Sequence, residues 1–73
     1  MKLEITIHKY PSNLELEIQV NDDYGVIDYE VNDMSYEYHV DAIVSQIASA
    51  FNVDSKDIIE EVEDTLMPYH VNL

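Results

Sequence analysis

The stretch NDDYGVIDYEVNDMSYEYHVD, residues 21–41, decides the fold, because it reads as two turns and two strands in unbroken succession. Residues 26–31 and 34–40 alternate apolar with polar side chains, the period-two signature of a half-buried strand. Asn32-Asp33 between them suits a two-residue hairpin turn, since both residues tolerate positive φ. With that loop, Val31 faces Met34, Tyr29 faces Tyr36 and Ile27 faces Tyr38 on an inner side. The outer side then pairs Glu30 with Ser35 and Asp28 with Glu37. Upstream, residues 21–25 form a second turn that contains the only glycine of the chain.

The same alternation continues towards the N-terminus. Leu14, Leu16, Ile18 and Val20 point one way while Glu15, Glu17 and Gln19 point the other. Pro11-Ser12-Asn13 is a turn signal, and before it Leu3, Ile5 and Ile7 alternate with Glu4, Thr6 and His8. A one-residue slip would turn an entire apolar set out to water, so register follows from the pattern. Ile7 opposite Leu16 sets Thr6 beside Glu17 and Glu4 beside Gln19. Ile27 opposite Val20 sets Glu17 beside Glu30 and Gln19 beside Asp28. Strands are therefore expected over 2–9, 14–20, 26–31 and 34–40, with the first and last of them at the sheet edges.

After Val40 the period becomes helical. Asp41 is an N-cap candidate, and Ile43, Val44, Ile47, Ala48, Ala50 and Phe51 make an apolar stripe. A break at Asn52-Val53 precedes a second helix capped by Asp54 or Ser55, with Ile58, Ile59, Val62 and Leu66 on its inner side and Glu60, Glu61, Glu63 and Asp64 on its wet side. Pro68 ends it. Helices over 42–51 and 55–67 and a tail over 68–73 complete the expectation: one α+β domain over 1–73, a four-stranded antiparallel meander followed by two helices packed on one face, ββββαα.

Charge separates this domain from ordinary small ones. Sixteen Asp and Glu stand against three Lys and no Arg, a formal net charge of −13, and the lysines lie towards the two ends. Acidic disordered chains lack apolar residues, whereas here 47% of the chain is apolar and periodic. With no cysteine, neither a disulfide nor a thiolate metal site is available. The opening MKLEITIHKY alternates and reads as neither a signal peptide nor a membrane span. These features fit a cytoplasmic protein.

Most site chemistry fails on spacing. Asn52, Asp54, Glu60 and Glu63 fall at positions 1, 3, 9 and 12 of a calcium loop, but Lys56 stands at position 5 and Asp57 where that loop needs glycine. His8, His39 and His70 include no pair at helical zinc spacing; His8 and His39 fall on the outward face. The serines lack any nucleophile motif, and without arginine no fork is present to clamp phosphate or carboxylate substrates. Asp28 opposite Glu37 is the best carboxylate pair, on an open face with no pocket to raise a pKa. Tyr29, Tyr36 and Tyr38 read as core, while Tyr24, beside Asp22 and Asp23, is available for contact. The reading is a protein that is not an enzyme and holds no cofactor or metal.

What remains is an outer sheet face of one sign. Opposed like charges across strands destabilise by a few tenths to about 1 kcal/mol each, and ordinary surfaces mix the signs. The candidate contact residues are Glu15, Glu17, Asp22, Asp23, Tyr24, Asp28, Glu30 and Glu37. A rigid carboxylate array resembles a phosphate backbone to a protein built to bind one. The expected partner is a basic nucleic-acid-binding protein, with no direct binding of nucleic acid by this chain and no membrane.

The strand and acidic turn LEIQVNDDYG, the helix end IASAF and the acidic helix EEVEDTL together resemble small phage-encoded inhibitors of bacterial defence nucleases, particularly acidic anti-CRISPR proteins that act on Cas9. The resemblance spans roughly two-thirds of the chain. It implies that acidic side chains meet the Arg and Lys residues that read the PAM, the matching positions being Asp22, Asp23 and the acids of the sheet face, in the host cytoplasm. The alternative is a non-catalytic interaction or subunit module, including a homodimer paired through an edge strand, or a charge that serves solubility alone.

Overall fold

Strand β2 (Asn13–Val20) lies between β1 (Leu3–Lys9) and β3 (Asp23–Glu30) in a three-stranded antiparallel sheet of the computed structural model, which describes residues 1–31 and 35–69. Helices α1 (Tyr36–Phe51) and α2 (Ile59–Leu66) follow, with short 3-10 turns at Ser55–Asp57 and Met67–Tyr69. Both helices cover one face of the sheet, α1 over β3 and α2 over β1. Among the described residues no element packs on the other face.

The central strand supplies the base of the core. Leu14, Leu16, Ile18 and Val20 are buried against Ile43, Val44 and Ile47 of α1 and Ile58, Val62 and Leu66 beside or within α2. Leu3, Ile5 and Ile7 are only half-buried, because β1 is an edge strand. The first hairpin has the expected register, with Ile7 opposite Leu16, Thr6 opposite Glu17 and Glu4 opposite Gln19. Its turn closes through the Tyr10 amide, which donates to the Asn13 carbonyl at 2.9 Å.

The second hairpin differs from expectation. β3 begins at Asp23 rather than at residue 26, and Leu16, not Val20, faces Ile27. The turn is the two residues Asn21-Asp22 rather than residues 21–25, and Asn21 takes the left-handed conformation (φ 55°). Asn21 is held there from outside the turn: its amide donates to the Lys2 carbonyl at 2.7 Å, and its Oδ1 accepts from the Lys2 amide at 3.1 Å. Gly25 is free to serve packing instead. A Cβ at that position would stand 3.0 Å from Phe51 Cζ, so the missing side chain makes room for the ring. Tyr29 is core, as expected.

The fourth strand is not present among the described residues. Tyr36 to Val40, expected as strand, are the opening turns of α1. Alternation over a few residues and helical spacing both put residues 36 and 40 on one side, so a short run satisfies either period. Two features favour helix. Ser35 is an N-cap whose Oγ accepts from the Tyr38 amide at 3.2 Å. His39 and Val40 also extend the buried spacing of Ile43, Val44 and Ile47 upstream by one turn. Asp41, expected as the cap, is therefore an exposed residue within the helix. Tyr38 is 46% exposed and Tyr36 half-buried, so neither is the cross-strand core residue expected of it. The Asn32-Asp33 turn, Met34 and the tail from His70 lie outside the described residues.

At the other end α1 closes at Asn52, again left-handed (φ 55°), with the Val53 amide donating back to the Ala48 carbonyl at 3.1 Å. Asp54 caps the 3-10 turn, its Oδ1 accepting from the Lys56 amide at 3.1 Å. The second helical segment is thus broken, a 3-10 turn and then α2, where one helix over 55–67 was expected.

Candidate interaction surface

The open sheet face is built by strand alternation alone. β1 contributes Glu4, Thr6 and His8, β2 contributes Glu15, Glu17 and Gln19, and β3 contributes Tyr24, Val26, Asp28 and Glu30; all are exposed except Glu15 and Glu17, which are half-buried on the central strand. Glu15 sits at the middle of the acidic half, with His8 opposite on one side and Asp28 opposite on the other. Glu30 continues this half opposite Asn13, whose Nδ2 donates to Asp28 Oδ1. The like-charge neighbours are therefore Glu15 and Asp28, replacing the expected pairs Glu17/Glu30 and Asp28/Glu37. Glu17 faces Val26, and Glu37 is in the first turn of α1 on the helical side.

Glu17 is fixed at both oxygens. His8 Nε2 lies 2.8 Å from Oε2, and the Tyr24 hydroxyl donates to Oε1 at 3.1 Å. The hydrogen bond from His8, then that from Tyr24, holds the Glu17 carboxyl below its ordinary range. Reciprocally, the bond to Glu17 raises the His8 pKa, and the nearby charges of Glu17 and Glu15 add to this. The Tyr24 phenol is raised chiefly by the same Glu17 contact. The face consequently carries one titratable imidazole among its acids.

The far half of the face is less polar. Tyr24 and Val26 are 63% and 53% exposed, side by side with no helix over them. Of the residues singled out from sequence, Glu15, Glu17, Tyr24, Asp28 and Glu30 share this face. Asp22 is in the β2–β3 turn and Asp23, at the start of β3, alternates onto the helical side, so both stand at the border. Glu37 belongs elsewhere: with Tyr36, Val40, Asp41, Ile59 and Glu63 it lines a cleft of about 250 Å³ between the helices. The His8–Glu17 contact follows from the first hairpin register, which places His8 diagonal to Glu17. The Tyr24 contact depends on the second register and was not visible without it.

His39, expected on the outward face, is fully buried. Its Nδ1 shares a 2.7 Å hydrogen bond with the Tyr29 hydroxyl, and Tyr29 and Tyr38 present ring edges to it at centroid distances of 5.6 and 5.9 Å. Among the described residues its Nε2 has no hydrogen-bond partner. Among the described residues no three His, Asp or Glu side chains come together to hold a metal, and no helix is long and apolar enough to cross a membrane. Compared with protein-family models, curated proteins and solved structures, the chain matches none.

Proposed function

We propose that this protein is an acidic decoy: its open sheet face occupies the basic nucleic-acid-binding groove of an enzyme, a nuclease such as Cas9, and competes with the nucleic acid for it. The observation that carries the reading is the uncovered acidic half of the face, Glu15, Glu17, Asp28 and Glu30 on adjacent strands of a rigid sheet. Carboxylates about 4.8 Å apart across strands and about 6.7 Å apart along them lie within the Debye length of roughly 8 Å at physiological salt. They act on a partner as one field, which raises the rate of encounter with a basic groove. Acids outside the face add to the long-range attraction. The anti-CRISPR resemblance supplies the choice of Cas9.

A second reading draws on Tyr24 and Val26. An imitation of a phosphate array has no use for an exposed valine, whereas a protein interface gains from a tyrosine and an aliphatic side chain beside its charges. In that reading the protein is an interaction module for a basic partner that binds no nucleic acid. Competition separates the two. The decoy displaces labelled duplex DNA from guide-loaded Cas9, less effectively as salt rises, and Glu17→Lys weakens it. Absence of displacement at low salt would remove Cas9 as the target. Binding to a basic protein without displacement of its nucleic acid would favour the module.

A further inference from the structure

Among the described residues the sheet ends at β3, and the physical character of that edge is specific. The Val31 amide donates to the Ser12 carbonyl at 3.1 Å, which makes Ser12 and Val31 a hydrogen-bonded pair. In an antiparallel ladder such pairs recur every second residue, so Tyr29, Ile27 and Gly25 bond to β2 through Leu14, Leu16 and Ile18. The amides and carbonyls of Val26, Asp28 and Glu30 therefore point away from the sheet. Among the described residues no backbone group bonds to them. Natural edges are commonly blunted by charged side chains, lysine above all, or by proline; β3 carries no lysine or proline and its charges are the acids Asp23, Asp28 and Glu30, while β1 ends in Lys9 and follows Lys2.

Next to this edge, on the helical side, runs a shallow groove between Ile27 and the flank of α1 formed by Ser45, Gln46, Ser49 and Ala50. Apart from Gln46, its wall is made of the short side chains Ser45, Ser49 and Ala50, which leave room for a strand laid against β3. On the opposite side of the edge stand Asp28 and Glu30.

We propose that β3 is the docking edge for an extended segment of a partner protein, which pairs with Val26, Asp28 and Glu30 and completes the sheet as a fourth strand. Successive side chains of that segment alternate between the two sides. Those on the helical side are apolar and lie over Ile27 beside Ser49 and Ala50. Those on the open side are Lys or Arg and meet Asp28 and Glu30. Charge complementarity argues for this occupant over a second copy, because two β3 edges would bring Asp23, Asp28 and Glu30 of each chain together at a net charge of −13 apiece. The inference rests on the basic partner proposed above only for its side-chain preference.

The test uses the whole protein and a fluorescent peptide of alternating lysine and valine, about eight residues long to match a strand. The control is the same peptide N-methylated on alternate residues, with equal charge but no donors along one edge. The parent peptide binds saturably in anisotropy titrations, and N-methylation weakens it at least about tenfold, the sum of several modest hydrogen bonds. Val26→Pro, which removes one outward donor and none of the β2–β3 bonds, weakens it comparably. Ser49→Lys, at an exposed helical position, keeps the fold and repels the peptide. On binding, the amides of Val26, Asp28 and Glu30 become protected from hydrogen exchange. Equal affinity for parent and N-methylated peptides overturns the inference, as does protection of these amides in the free protein or dimerisation through β3 in sedimentation. Failure to displace DNA from Cas9 alongside intact peptide pairing overturns nucleic-acid mimicry alone.

Discussion

Glu15→Lys reverses one charge at the centre of the acidic half, and the register states what that does. Glu15 faces Asp28 on β3 and His8 on β1. A like-charge cross-strand pair costs a few tenths to about 1 kcal/mol, and an opposite pair contributes a similar amount. Replacing repulsion of Asp28 by attraction is therefore worth about 0.5–1 kcal/mol, taken low in the range because Asp28 is exposed and salt screens it. The effect on β1 has the opposite sign while His8 is protonated, since Lys at 15 repels the imidazolium that Glu15 attracts. The His8 pKa is raised from 6.5, so this opposition is strongest at mildly acidic pH and disappears once the pH exceeds that raised value. Urea unfolding at low salt should accordingly show a gain of about 0.5–1 kcal/mol at mildly alkaline pH and a smaller gain, or none, at mildly acidic pH. For a domain of this size each kcal/mol moves Tm by about 4–8 °C. A variant less stable than the parent at alkaline pH would refute both the Glu15–Asp28 pairing and the idea that this face is held against a stability cost.

Three further outcomes follow from other parts of the molecule. Tyr29→Phe leaves the buried His39 with Nδ1 unpaired as well as Nε2 and should destabilise by about 1–3 kcal/mol; combined with His39→Leu the loss should fall short of the sum, and additivity in urea unfolding would count against the bond. Gly25→Val directs a branched side chain at Phe51 and should cost about 1–3 kcal/mol, a loss that Phe51→Ala reduces; an unchanged unfolding midpoint would show the ring is not seated there. In an NMR titration His8 should titrate above 6.5 and return towards it in Glu17→Gln. The stabilisation from His8 is complete below 6.5 and fades as pH rises through its folded value, while that from Glu17 is complete above 4.5 and fades as pH falls through its lowered value. The pair thus contributes most between about 4.5 and 6.5, and a Glu17→Gln difference that grows outside this window would contradict the assignment.

The inner side of the sheet was legible because apolar alternation and burial share one period: Leu14, Leu16, Ile18, Val20 and Tyr29 are where the pattern puts them. The helical stripe through Ile43, Val44, Ile47, Val62 and Leu66 was legible for the same reason. Tyr36 to Val40 was misread because five residues are too few to distinguish period two from 3.6, and a lone serine cap is a weak signal beside a Tyr-x-Tyr-x-Val alternation. Once that segment became helix, Glu37 left the sheet face and His39 turned inward. The second register was misread because the turn was drawn over residues 21–25, whereas Asn21 takes the left-handed conformation in a turn of two residues and Gly25 lies within β3 beneath Phe51. The acidic face survived both errors in outline, since side-chain parity along β2 and β3 does not depend on register. Its neighbours did not survive, and the Tyr24–Glu17–His8 arrangement emerges only from the correct pairing.

The central claim, that the acidic half of the open face competes for a basic nucleic-acid groove, is tested most directly by displacement of labelled DNA from guide-loaded Cas9 by the parent protein and by Glu15→Lys/Asp28→Lys. The account predicts displacement by the parent that weakens with salt, and loss of displacement in a variant that folds as well as the parent. Displacement by the folded variant as effective as that by the parent would contradict it.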